Sequence, residues 1–356
     1  MKIAILTFHR AYNYGAVLQA FALQRALASL GSEPEIIDYI GTQKQKKASH
    51  SVGGMTLKEK CKQMVKNFYR AKKRREFNRF LKHYMKISPA AYHDSEQLRE
   101  LDKSGTYGAY VVGSDQVWNT DITQDDPAYL LSFVNSNDKR NSYAASIGSC
   151  RFDAEREATF LRELRKFRVL TVREKSALES YPFLKECGAE VVLDPTLLLT
   201  KEEYAAIASK RLTKRKYAFL YTVPQAEQLR RFAKDYCQKQ GWVLIDIKKS
   251  MRAFLHSAPE DWLSFILNAE MVFTNSFHGT AFSIIMEKQF VTEADTSVMK
   301  NVRALDLLTL TGLQSRDMSS AAFSPQDTID YGAVRSRLTT AREKSFAILK
   351  EIAWHE

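Results

Sequence analysis

The chain has 356 residues, 45% hydrophobic and 26% charged, which excludes a disordered chain and a small disulfide scaffold and leaves two domains or one large α/β unit. Four cysteines, at 61, 150, 187 and 237, form no C-x-x-C pair, so reduced buried thiols in a cytoplasmic protein are expected. The net charge of +12 raises nucleic acid as a partner, and where that charge sits decides what it means.

Met1-Lys2 leads into an apolar run, Ile3 to Leu6, that meets Thr7 and His9-Arg10 too early for an export signal, so Lys2 to Phe8 reads as a strand. A helix near Ala16 to Leu30 and a strand Glu35 to Tyr39 follow. An insertion at about 45–100 then interrupts the pattern. Between Thr56 and Lys86 it sets twelve Lys and Arg against Glu59 and Glu76, a net of +10. Leu57, Cys61, Met64 and Phe68, then Phe77, Phe80, Leu81 and Tyr84, recur there at helical spacing, giving one or two basic amphipathic helices.

Three readings of residues 56–86 stand open. They form a solvated face packed on the core by the stems of long side chains, or they contact an anionic membrane leaflet or a lipid-linked anionic substrate. Nucleic acid is the third, and it lacks any zinc-finger spacing, RNP-like aromatic strand or recognition helix, so no such partner is expected. No run approaches the roughly 18 apolar residues of a membrane span.

Past the insertion come strands Ala109 to Gly113 and Asn141 to Ser146, a helix near Asp153 to Lys166, and strands Val169 to Arg173 and Glu190 to Leu193. A second series begins after Asp194-Pro195, with strands Tyr217 to Val223, Trp242 to Ile247, Met271 to Thr274 and Phe290 to Thr292. A last helix runs from about Tyr331 to Trp354. The alternation predicts an α/β fold: two Rossmann-like domains facing across a cleft, GT-B-like, with a basic helical insertion in the first. Residues 1–200 make the N-terminal domain, 201–330 the C-terminal one, and 331–356 a helix packing back across both.

Ligands of such sheets sit beyond the carboxyl ends of the strands, so the residues there are the candidates. After the first strand, His9, Arg10, Asn13 and Tyr14 precede a helix whose free amides suit an anion or a sugar; with one glycine, the stretch is no dinucleotide fingerprint. After the third, Gly113-Ser114-Asp115-Gln116-Val117-Trp118-Asn119 gathers a carboxylate, amides and an indole suited to sugar hydroxyls, or else caps a helix. Arg173 ends a strand where it can grip phosphate or carboxylate bidentately, unless it only pairs with Glu174.

Thr274-Asn275-Ser276-Phe277-His278-Gly279-Thr280 stops a strand and opens an apolar helix. An imidazole there is placed for acid or base work, against the commoner capping or core role. The histidines at 50, 83, 93, 256 and 355 have no companion pattern, and no metal-ligand spacing or G-x-S-x-G elbow appears.

Six segments in order carry a resemblance: Asn13-Tyr14-Gly15-Ala16-Val17-Leu18-Gln19, Val112 to Asn119, Tyr143-Ala144-Ala145-Ser146-Ile147-Gly148, Val172-Arg173-Glu174-Lys175, Leu193-Asp194-Pro195-Thr196-Leu197-Leu198 and Thr274 to Gly279. The chain resembles the polysaccharide pyruvyl transferase family. That resemblance implies a GT-B-like enzyme that moves the enolpyruvyl unit of phosphoenolpyruvate onto a sugar, leaving a pyruvate ketal and releasing phosphate. It implies roles in donor binding and catalysis for Arg173 and His278. Many members place an arginine two residues before that histidine, where this chain has Ser276, so another cation must stand in; Lys175 and Arg10 are the candidates.

Phosphoenolpyruvate carries a carboxylate and a phosphate, which are costly to bring into a cleft without cations or amides. Arg173, Lys175, Asn275, Ser276, Gly279 and Thr280 are assigned to the donor, and His9, Arg10, Asn13, Tyr14, Ser114, Asp115, Gln116 and Trp118 to the acceptor. His278 serves as general acid and Asp115 as base, with no metal or cofactor beyond the co-substrate. The acceptor is a sugar of a polysaccharide or its lipid-linked precursor, and the location is cytoplasmic or peripheral at the inner face of the membrane. A glycosyltransferase using a nucleotide sugar, with His278 and Arg173 on its diphosphate, is the alternative.

Overall fold

The computed structural model describes residues 1–41, 57–224, 226–294 and 302–354; the start of the insertion, His50 and His355 lie outside them. The first lobe comprises β1 (Lys2–Leu6), α1 (Tyr14–Ser29), β2 (Glu33–Tyr39), α2 (Leu57–Tyr84), β3 (Ile87–Tyr92), α3 (Ser95–Lys103) and β4 (Ala109–Val112). It continues through α4 (Thr120–Thr123), β5 (Arg140–Ser142), α5 (Ala154–Leu164), β6 (Thr171–Val172), α6 (Lys175–Ser180), α7 (Pro182–Glu186) and β7 (Glu190–Val191). Its five-stranded sheet has the order β3-β2-β1-β4-β5, all parallel. Bridges Asn141 to Val169 and Ala145 to Val172 append the β6-β7 pair beyond β5. The resulting order, 3-2-1-4-5-6-7, contains the Rossmann order.

The second lobe comprises α8 (Lys201–Ile207), β8 (Tyr217–Tyr221), α9 (Glu227–Gln240), β9 (Val243–Asp246), α10 (Met251–Leu255), α11 (Pro259–Leu267), β10 (Met271–Thr274), α12 (Phe277–Ile285), β11 (Phe290–Thr292), α13 (Val302–Thr311) and α14 (Tyr331–Ala353). Its sheet is parallel with the order β11-β10-β8-β9. Strand order reverses between β1 and β4 in one lobe and between β8 and β10 in the other, and loops at such points splay apart to leave a crevice. The fold is therefore α/β with two Rossmann-like domains, as the alternation of strands and helices predicts.

α1 shows why the lobes are joined. Nearly all its residues from Tyr14 to Leu27 are buried, and a helix apolar all round must be covered on every side. It lies between its own sheet and α11 of the other lobe. Tyr14 crosses over: its ring stacks on Trp262 at 5.4 Å between centroids, and its hydroxyl donates to the Ser257 carbonyl at 3.1 Å. α14 returns the other way. Its Ser345 hydroxyl accepts from the Leu193 amide at 3.1 Å, and the Trp354 indole N–H donates to the Leu30 carbonyl at 2.8 Å.

The insertion departs from expectation in two ways. A strand, β3, forms at Ile87–Tyr92 inside the insertion that reads as helical, while α3 at Ser95–Lys103 agrees with that reading. Pro89 disguised the strand, and β3 tolerates it because it is the sheet's edge. The apolar residues of α2 also do not share one packed face. Phe77, Phe80 and Leu81 are buried, Phe77 against Tyr14 and Phe80 against Phe21, whereas Met64, Val65 and Phe68 stand 71%, 58% and 64% exposed. The back half of α2 is core and the front half is not.

Phe77→Ala should cost about 3–5 kcal/mol of unfolding free energy, and Phe68→Ala should stay within about 0.5 kcal/mol. Urea unfolding of the two variants checks the division.

Candidate active site

β6 delivers Arg173 to a position where its side chain is almost wholly buried. Nε donates to Glu174 Oε1 at 3.0 Å and Nη1 to Asp194 Oδ2 at 2.9 Å. Nη2 is buried with no hydrogen-bond partner among the described residues. Asp194 follows β7 and opens a turn in which its Oδ1 accepts from the Thr196 amide at 2.9 Å and the Thr196 hydroxyl at 2.6 Å. Its Oδ2 takes Arg173 on one side and lies 3.7 Å from His278 Nε2 on the other. Arg173 and His278, from opposite lobes, thus meet at one carboxylate.

Burial alone would raise the Asp194 carboxyl, but the His278 ring, the Arg173 guanidinium and Thr196 outweigh it and hold the group well below the usual carboxylate range. Burial likewise works against the charge on Arg173, and Glu174, Asp194 and Asp115 more than restore it.

His278 lies in the first turn of α12, whose N-cap residue Ser276 makes no side-chain cap bond. The ring packs against Gly15 in the first turn of α1, so closely that a Cβ there would fall inside the ring's contact distance. A residue without a side chain is required at that point, and this is why the Tyr-Gly-Ala start of α1 belongs to the site. His278 Nε2 is also buried without a hydrogen-bond partner among the described residues.

Sequence reading missed two residues. Asp194 stood inside a recognised segment but was given no role; the Asp-Pro-Thr turn after a strand was its signal. Arg303, in the first turn of α13, had none. Its guanidinium lies 5.9 Å from the Phe277 ring centroid, Arg173 lies 5.1 Å from the same ring, and Arg303 Nε is 3.9 Å from Glu174 Oε1. With its amide turned toward Arg303, the Gln116 side-chain oxygen accepts from Arg303 Nη2 at 3.1 Å. Burial, and then the neighbouring Arg173, push the Arg303 pKa down. Arg173, Lys175, Asp194, Phe277, Arg303 and Lys344 line a cavity of about 480 Å³.

Of the acceptor residues, Asp115, Gln116 and Ser114 lie at this cluster: Asp115 is half-buried and acts electrostatically on both arginines, and the Ser114 hydroxyl donates to Asp194 at 3.4 Å. Asn13 is exposed, capping α1 by accepting from the Gly15 amide at 2.9 Å. Others serve structure instead. Trp118 is 1% exposed, its N–H donating to the Tyr129 carbonyl at 2.9 Å inside the core, so it faces no sugar. His9 and Arg10 are both committed to Asp38. Arg10 lines a separate hollow with Asn78 and Lys82, which removes it as the substitute cation. Tyr14 is the inter-lobe pin described above.

Of the donor residues, Asn275 is spent on the neighbouring loop, its Oδ1 accepting from the Val223 amide at 2.8 Å. Thr280 is fully buried, its amide and hydroxyl both donating to the Ser276 carbonyl and its hydroxyl 3.1 Å from that of Thr292. Gly279 leaves room for Thr274, and Ser276 is buried beside Tyr221. Polar residues just past a strand are as often needed to satisfy the loop as to meet a ligand.

A family model described as polysaccharide pyruvyl transferase matches residues 13–294. No curated protein matches the chain. Among solved structures, UDP-GlcNAc 2-epimerase from Methanocaldococcus jannaschii is similar at 12% identity and a TM-score of 0.46, covering 95% of this chain and 92% of that one. The glycosyltransferase SsfS6 from Streptomyces sp. SF2575 aligns at 12% identity and a TM-score of 0.40, covering 97% and 96%. An alpha-glucosyltransferase in complex with UDP aligns at 7% identity and a TM-score of 0.44, covering 99% and 96%.

Asp194→Asn removes one of the two carboxylates paired with the buried Arg173, leaving Glu174, and should cost about 3 kcal/mol at neutral pH. The carboxyl is depressed in the folded state, so its contribution is complete above the unfolded value near pH ~4 and is lost as pH falls below it. The gap between wild type and variant in thermal unfolding should therefore narrow below about pH 4.

Proposed function

The chain belongs to the polysaccharide pyruvyl transferase family, and from that premise and the cluster at Asp194 we propose that it transfers the enolpyruvyl group of phosphoenolpyruvate to a sugar as a pyruvate ketal. One observation carries the reading. Arg173 Nη2 and His278 Nε2 are buried polar groups without a hydrogen-bond partner among the described residues, brought together from two lobes, with Arg303 alongside. Buried donors are normally satisfied, and a small dianion with a carboxylate and a phosphate would satisfy these.

In this proposal Arg173 binds the donor through Nη2, and Arg303 takes the place of the family arginine that Ser276 lacks. The first amides of α12 add a partial positive charge for phosphate oxygens. Lys175, exposed at the rim of the same cavity, draws the anion in.

The reaction joins two sugar hydroxyl oxygens to the central carbon of the enol ester and breaks its bond to phosphate. One hydroxyl proton's equivalent ends on the methylene, which becomes methyl, and the other leaves with phosphate. His278 delivers the proton to the methylene, a step that general acids accelerate by roughly 10²–10⁴-fold. Asp194, 3.7 Å from Nε2, positions the imidazole. Asp115 is the base for the acceptor hydroxyl, and Gln116 and Ser114 border the acceptor. The acceptor is a sugar of a polysaccharide or its precursor, handled on the cytoplasmic side.

The test is phosphate release from phosphoenolpyruvate with galactose, mannose and N-acetylhexosamine acceptors, read together with a mass gain on the sugar. His278→Ala should lower kcat by about 10²–10⁴-fold with KM for the donor nearly kept. Arg173→Ala and Arg303→Ala should each raise that KM at least tenfold. Affinity for a nucleoside diphosphate sugar with no phosphate release from phosphoenolpyruvate would overturn the proposal in favour of glycosyl transfer.

A further inference from the structure

The front half of α2 and the short α10 lie side by side, held by the Tyr69 and Phe254 rings stacked at 5.1 Å. Around that contact opens a trough of about 1170 Å³ between the lobes, walled by Tyr12, Asn13 and Tyr14 on one side and by the ends of β8 and β9 on the other. Two properties of its rim coincide. Met64 and Phe68 from α2 and Met251 from α10 line it while standing 71%, 64% and 70% exposed, and Val65 and Leu255 extend the same apolar face. Lysines 66, 73, 248 and 249 line it too, and its described lining contains no Asp or Glu. Lys73 has its ammonium 4.6 Å over the Tyr14 ring, and burial lowers its pKa to about 8.

Large apolar side chains left in water on two adjacent elements mark an interaction surface. A free polyanion would match the lysines and leave Met64, Phe68 and Met251 wet. A second copy of the chain through the same face would set lysines against lysines. A partner that is anionic in its outer layer and apolar just beneath satisfies both properties, and the charge of the insertion strengthens the attraction: Arg70, Arg74, Arg75 and Arg79 are exposed along the same helix. Among the described residues no helix is long and apolar enough to cross a membrane, so such contact is peripheral.

We propose that this face docks on an anionic phospholipid bilayer, with Met64, Val65, Phe68, Met251 and Leu255 entering the headgroup boundary and Lys66, Lys248 and Lys249 meeting lipid phosphates. The arrangement turns the mouth of the trough, between the lobes, toward the lipid. The contact is independent of the donor chemistry, so it stands or falls separately from the transfer reaction.

The test is flotation of the purified chain with large unilamellar vesicles of phosphatidylglycerol and phosphatidylcholine, against vesicles of phosphatidylcholine alone. The chain should float with the anionic vesicles only, and less as salt rises. The double substitution Phe68→Asp with Met251→Asp should lower partitioning at least tenfold, and Lys248→Ala with Lys249→Ala should lower it severalfold. All four positions are exposed, and an unchanged circular dichroism spectrum and thermal midpoint confirm folding. No flotation at millimolar lipid, equal flotation with neutral vesicles, or undiminished flotation of the Asp double variant overturns the proposal. So does a wild-type dimer in sedimentation that the Asp double variant converts to monomer.

Discussion

A carboxylate with no access to water has to be matched charge for charge, and Asp194 is matched from two directions. Arg173 and Thr196 come from its own lobe and His278 from the other. Removing Arg173 would leave an ion in a low-dielectric setting, which is far more costly than the pair itself is stabilising. The position of the two lobes relative to each other is therefore tied to the ionisation of one side chain. The guanidinium and imidazole occupy a place where apolar residues would pack more simply.

The two sheets put their order reversals opposite each other, so the residues past β4 and β10 occupy the same gap. What distinguishes the residues presented to the gap from those spent on the loops is hydrogen bonding. Asn275 and Thr280 are saturated by neighbouring backbone, and Trp118 and His9 by their own lobe. Arg173 and His278 retain capacity after every internal partner has been counted among the described residues. Gly15 is a third kind of contributor. It offers no group at all, and its lack of a Cβ allows the ring of His278 to rest on α1.

Strand and helix alternation was legible because parallel strands buried on both faces read as short apolar runs, and most of those runs are strands here. His278 and Arg173 were legible because each follows such a run in a recognisable segment. Arg303 was not: it starts a helix far from any strand end, and only packing brings it to Phe277 and Glu174. Trp118 and Tyr14 misled because an aromatic beside polar residues looks alike whether it stacks on a sugar or fills a core. The exposure of Phe68 was hidden for the converse reason. Helical spacing tells which residues share a face and says nothing about whether another element arrives to cover it.

The described backbone passes between the lobes twice, first after Leu199 and again along α14, and Arg342 clasps the two passages by donating to the carbonyls of Leu197 at 2.6 Å and Leu199 at 3.2 Å. Two tethers fastened side by side oppose twist and slide of one lobe against the other. Asp194, three residues before Leu197, lies next to one of them, so the ionic joint and the clasp reinforce each other where the chain crosses. On the far side of α1 the stack of Tyr14 on Trp262 adds a third fastening, and the gap keeps its width because it is held at both margins.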